Sequence, residues 1–138
     1  MTASKKTVIL LRGSPGSGKS TWISAHLPDA TVVSADKFFE RGGTYKFDGK
    51  LLKYAHESSQ TAFKAALARG DALVAVDNTN IHKGNYQFYV TEATKAGYEV
   101  YQKVLTTVFQ NVHGVPEDKV TRMRDLMEVD TYLPHWPE

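Results

Sequence analysis

Gly13-Ser14-Pro15-Gly16-Ser17-Gly18-Lys19-Ser20 brings a lysine ammonium and a serine hydroxyl together directly behind a glycine-rich run. The spacing G-x-x-x-x-G-K-[ST] suits phosphate chemistry. Successive backbone N–H groups turn toward one anion, the lysine reaches the terminal phosphates and the hydroxyl ligates Mg²⁺. On this reading the loop holds a nucleoside triphosphate, with Lys19 on the β- and γ-phosphates and Ser20 on the metal. The plainer alternative is a glycine turn that happens to contain Lys and Ser, and the flanking elements decide between the two.

Those elements favour the phosphate loop. Thr7-Val8-Ile9-Leu10-Leu11 is an apolar, partly β-branched run that predicts a buried strand, and Thr21 to Leu27 opens a helix. Helix dipole and unpaired N–H groups then point at the loop. Further on, strands are expected over Ala30–Ser34, Ala72–Val76 and Tyr98–Leu105. Helices are expected over Lys50–Arg69, Gly84–Lys95 and Glu117–Val129. In the first of these, Leu51, Leu52, Ala55, Ala62, Phe63, Ala66 and Leu67 recur at helical spacing. Alternating strands and helices imply an α/β fold, a parallel sheet with helices on both faces and right-handed crossovers. Ligands in such sheets bind at the carboxyl ends of the strands.

That rule singles out two carboxylates. Asp36 follows the second strand and Asp77 ends the third. Each has a structural role open to it, a helix N-cap for Asp36 and a turn for Asp77. Phosphoryl transfer needs a base near the acceptor hydroxyl and carboxylates around Mg²⁺, and the two aspartates could divide those tasks. After Asp36, the residues Lys37, Phe38, Phe39, Arg41, Tyr45, Lys46, Phe47, Lys50 and Lys53 interleave cations with rings. Such a pattern can hold single-stranded nucleic acid, although aromatics in a small domain also build cores.

The composition sets the limits. The 138 residues predict one domain, 1–138, with 41% hydrophobic and 23% charged residues, as in globular proteins. No apolar run approaches the roughly 18 residues of a membrane span, and the five before Arg12 are too few for a signal-peptide core. The absence of cysteine excludes disulfides, thiolate metal sites and a cysteine nucleophile, and fits a cytoplasmic location. A net charge of +2 permits a nucleic-acid partner without requiring one. His26, His56, His82, His113 and His135 have no metal-ligand spacing. Trp136, in the proline-bounded tail, is expected to dock on the surface.

Several segments together resemble the polynucleotide-kinase-like group of P-loop proteins. They are Gly16 to Trp22, Ser34-Ala35-Asp36, Tyr45-Lys46-Phe47-Asp48, Ala55-His56, Asp77-Asn78-Thr79-Asn80, Gly97-Tyr98 and His113-Gly114-Val115-Pro116. The likeness runs from about Val8 to Met127, and the phosphate loop is similar to that of the phage 5′-hydroxyl kinase domain. This resemblance implies a P-loop kinase fold and transfer of the ATP γ-phosphate to a 5′-hydroxyl of a nucleic acid or nucleotide. Gly13, Ser14, Pro15, Gly16, Ser17, Gly18, Lys19, Ser20 and Thr21 would bind ATP, with Ser20 and Asp36 on the Mg²⁺ side. The catalytic set it implies is Asp36 as general base, Lys19, and Asp77 organising the acceptor side. Two positions depart from the pattern. Gln110 stands where family kinases carry a lid arginine, in a segment that looks shortened, so a reduced lid is expected; Phe39 replaces an acceptor-side arginine. These departures keep two alternatives open, a kinase for a nucleoside or sugar and a nucleotide-binding module without turnover.

Overall fold

The computed structural model describes residues 6–13, 18–35, 40–41, 44–45, 49–80, 83–105 and 133–136. The chain runs β1 (Thr7–Arg12), α1 (Lys19–His26), β2 (Thr31–Val33), β3 (Glu40–Arg41), β4 (Thr44–Tyr45), α2 (Leu52–Arg69), β5 (Leu73–Asp77), α3 (Lys83–Lys95) and β6 (Glu99–Val104). A 3₁₀ turn, Gly49–Leu51, leads into α2. Strands β2, β5, β1 and β6 form a four-stranded parallel sheet in that order. The short antiparallel pair β3–β4, not anticipated from the sequence, follows β2. The expected helix at Glu117–Val129 and the reduced lid lie outside the described residues.

Central position explains why β1 is apolar from Val8 to Leu11. All six of its residues are buried, because helices cover both faces. Val8 and Leu10 join Val74, Val76, Phe63, Ala66, Tyr86 and Tyr89 beneath α2 and α3. Ile9 and Leu11 point the other way, to Trp22, Ile23 and Leu27 around α1. The two-residue alternation of a strand thus feeds two separate cores. In the register, Ile9 lies beside Ala75, whose small side chain belongs to the α1 core with Trp22.

Helix α2 differs from its expected face. Its buried stripe is Ala55, Ser59, Phe63 and Ala66, while Leu51, Leu52 and Ala62 are exposed. The first two belong to the turn and opening residue of the helix, before its buried stripe begins. The helix ends where expected: Gly70 adopts φ 78°, its N–H accepted by Ala66 and Leu67 carbonyls, the left-handed stop that a Cβ disfavours. Phe63 is fully buried and meets the Tyr89 ring edge-on at 4.9 Å. Phe63→Ala is expected to lower stability by about 3–5 kcal/mol in urea unfolding, a loss set by the cavity left between α2 and α3.

The tail closes the far edge of the sheet. Gln102 N–H donates to Pro134 O at 2.9 Å and Trp136 N–H to Gln102 O at 2.8 Å, a parallel bridge beside β6. Trp136 packs edge-on to Tyr101 at 5.2 Å, the surface docking its aromatic character suggested. This backbone pairing protects an otherwise open strand edge.

Candidate phosphate-binding site

Three strand ends converge at one edge of the sheet. Helix α1 starts at Gly18, whose φ of 90° and ψ of 19° place it in the left-handed region open to glycine. No side chain caps this helix and its first turn carries no acid. The partial positive charge of its N-terminus is therefore not met by a carboxylate in its own first turn. Lys19 is half-buried, and its Nζ donates to Gly13 O at 3.0 Å, closing the loop on itself. Ser20, one residue on, donates its Oγ hydroxyl to Asp77 Oδ2 at 2.9 Å. Thr21 follows on the exposed side of the helix.

The sequence-expected residues thus divide into two sets. Gly13, Gly18, Lys19, Ser20, Thr21 and Asp77 are brought to one place. Ser14, Pro15, Gly16, Ser17 and Asp36 lie outside the described residues, as do Phe39 and Gln110. Asp77 stands against the hydroxyl of the phosphate loop rather than apart from it. A serine hydroxyl and a carboxylate within hydrogen-bond reach offer hard oxygen donors of the kind Mg²⁺ takes alongside waters and substrate phosphates. No group of three or more His, Cys, Asp or Glu that could cage a metal occurs among the described residues.

At the ends of β1 and β5 and beside β6 lies a buried polar layer that sequence reasoning missed. Arg12 ends β1, only 1% exposed. Its Nε donates to Asn80 O at 2.8 Å, its Nη1 donates to Gln102 Oε1 at 3.1 Å, and the guanidinium sits 4.6 Å from the Tyr86 ring centroid. A buried cation is tolerable when its donors are met and a π face lies against it. Asn80 returns the contact, donating Nδ2 to Leu11 O at 2.7 Å from a left-handed backbone with φ 50°, which asparagine tolerates. Gly13 N–H donates to Thr79 O at 3.0 Å, so the loop starts pinned to the segment after β5. Gln102 Nε2 also donates to Leu133 O, tying the tail into the same layer. The available signal was a lone arginine closing an apolar strand immediately before the glycine loop.

A second layer joins β5 to the segment after β2. Asn78 Oδ1 accepts the Ala35 N–H at 2.8 Å, and its Nδ2 faces Ser59 Oγ and Tyr89 Oη, each at 3.3 Å. Ser59 and Tyr89 share a hydrogen bond of 2.8 Å. Burial raises the Tyr89 phenol above its ordinary pKa, outweighing hydrogen bonds from Ser59 and Asn78 that favour ionisation, so it stays protonated at neutral pH.

A glycine loop between a central parallel strand and a helix, with its lysine on the Gly13 carbonyl and its serine on a strand-end aspartate, defines a P-loop fold of the kinase type. Residues 8–112 match the AAA domain family AAA_33, and the chain belongs to that family. It is 34% identical to human NEDD4-binding protein 2 over 128 residues, covering 84% of this chain and 7% of the relative's length. In fold it resembles a chain in the structure of the Pnkp1/Rnl/Hen1 complex, with TM-score 0.60 and 18% identity. That match covers 99% of this chain and 47% of the other. It also resembles the Mycobacterium tuberculosis APS kinase CysC Cys556Ala mutant, with TM-score 0.53 and 15% identity, over 92% of this chain and 100% of that one. No described helix is long and apolar enough to cross a membrane.

Proposed function

We propose that this domain transfers the γ-phosphate of Mg²⁺-bound ATP to the 5′-hydroxyl of a nucleic acid or nucleotide. The observation that carries the reading is the Ser20–Asp77 hydrogen bond of 2.9 Å beside Lys19. It joins a hydroxyl and a carboxylate fit for the metal to the lysine fit for the phosphates. When bound, Mg²⁺ would draw charge from the β- and γ-phosphate oxygens. Ser20 and Asp77 hold that side of the site, while the N–H groups opening α1 and the Lys19 ammonium hold the phosphates. Asp36 accepts the proton of the acceptor hydroxyl as that oxygen forms its bond to the γ-phosphorus and the bond to the β–γ bridging oxygen breaks.

The start of α2 supports a polymeric acceptor. Because α2 crosses back to the beginning of β5, its first turn stands at the carboxyl edge of the sheet, beyond the Ser59–Asn78 contact. There Lys50, Lys53 and Tyr54, a residue 56% exposed, offer cations and a ring to a nucleic acid. The likeness to the Pnkp1-containing complex agrees with this reading. A small-molecule acceptor is the second reading, favoured by the coverage of the entire APS kinase chain.

The test is label transfer from γ-radiolabelled ATP with Mg²⁺ to a 5′-hydroxyl oligonucleotide, beside nucleoside and no-acceptor controls. Labelled oligonucleotide is the expected result. Label on the nucleoside alone would establish the second reading, and ATP binding without any transfer would leave a nucleotide-binding module.

A further inference from the structure

Asn78 occupies a junction that the phosphate loop does not need. It follows Asp77, the residue hydrogen-bonded to Ser20, yet its side chain turns away from the loop to the backbone at the end of β2. The amide is 8% exposed and oriented on both sides. Its oxygen takes the Ala35 N–H at 2.8 Å, and its nitrogen faces the Ser59 and Tyr89 oxygens. Ser59 and Tyr89, each 1% exposed, come from α2 and α3, so two helices fix the rotamer. Phe63 packs on Tyr89 from the next turn of α2 and completes the support. The outcome is a single buried amide connecting one strand end to another across 43 residues of sequence.

We infer that Asn78 is a positioning residue, tying the Ala35 backbone, one residue before Asp36 in the chain, to the strand end that carries the Asp77–Ser20 pair. The inference rests on the proposed function, in which Asp36 receives the acceptor proton. Strands β2 and β5 are already paired through Val33 and Val76, so Asn78 is not required to hold the sheet together. Its bond acts one step later, at the residue preceding Asp36, where the chain leaves the sheet. An error of about 1 Å in the placement of a reacting group can cost roughly 10²-fold in rate. The amide oxygen is the atom that matters, since it meets a backbone donor that would otherwise be buried without a partner.

The experiment compares Asn78→Leu and Asn78→Asp with the wild-type full chain, well below their unfolding temperatures. Asn78→Leu keeps the volume and removes the acceptor. Asn78→Asp keeps an acceptor for the Ala35 N–H and can take one hydrogen bond, from whichever of the Ser59 and Tyr89 hydroxyls is not donating to the other. The expected result is a 10- to 100-fold fall in kcat for the leucine variant, with ATP affinity within about threefold of wild type, and recovery of most of that loss in the aspartate variant. Equal kcat per folded molecule in wild type and Asn78→Leu would overturn the inference, as would equal impairment of both variants. Should Asn78→Leu fail to fold, amide exchange of the wild-type chain decides. Slow exchange at Ala35, comparable to that in β5, supports the bond, and exchange at the rate of an exposed amide overturns it. A wild-type protein that binds ATP but phosphorylates no hydroxyl would instead overturn the proposed function on which the inference stands.

Discussion

Asp36→Asn is expected to leave Mg²⁺-ATP binding within about twofold of wild type and to reduce transfer to a 5′-hydroxyl acceptor by roughly 10²- to 10⁴-fold. The substitution keeps the size of the side chain and removes its basicity, so the acceptor oxygen loses the group that takes its proton. The distinctive part is the split between binding and turnover. Lys19, Ser20 and Asp77 sit together through their own contacts. Asp36 instead follows Ala35, which is held by Asn78 in a separate layer. Calorimetric titration with ATP and initial rates of label transfer measure the two halves independently. Activity in Asp36→Asn equal to wild type would remove Asp36 from the role of base.

Lys19→Ala is expected to act in the opposite place. ATP affinity should fall by about 10²-fold, because an ammonium hydrogen-bonded to phosphate contributes on the order of 1.5–3 kcal/mol per bond. Transfer should fall at least as far, since the same charge faces the phosphoryl group as its bond to the leaving oxygen breaks. The fold should be unaffected. Lys19 is half-buried, and its hydrogen bond to Gly13 O lies within the loop rather than within either core. Arginine should not restore binding, because its planar fork presents donors in a geometry unlike that of a compact ammonium. Unchanged ATP affinity in Lys19→Ala, with unfolding also unchanged, would show that the nucleotide is held elsewhere.

These two substitutions concern residues recognisable from type and order alone. A strand followed by glycines, lysine and serine is a local arrangement, contained within Thr7–His26, and its chemistry depends on residues a few positions apart. The four strands of the parallel sheet and the first three helices were legible for the same reason. Apolar runs and helical spacing are short-range signals, and Gly70 and Gly97 mark stops with φ of 78° and 83°. The pairing of β5 between β1 and β2 was not legible, because nothing in a strand's own residues states its neighbour. The β3–β4 pair was also missed: two residues per strand leave no period to detect.

The sequence by itself therefore determined the phosphate loop, the alternation of strands and helices, and the candidate residues at strand ends. Only the tertiary structure decided which of them meet. Ser20 and Asp77 are 57 residues apart, Ala35 and Asn78 are 43, and Arg12 and Gln102 are 90. Each pair depends on which strands lie side by side, a property of the assembled sheet rather than of any segment. A buried polar group must also find its partner wherever the fold provides one. That is why Arg12 and Gln102 read as unremarkable residues in the chain, and why Asn78 showed its segment but not its partner, until the fold places them in the two buried layers beside the site.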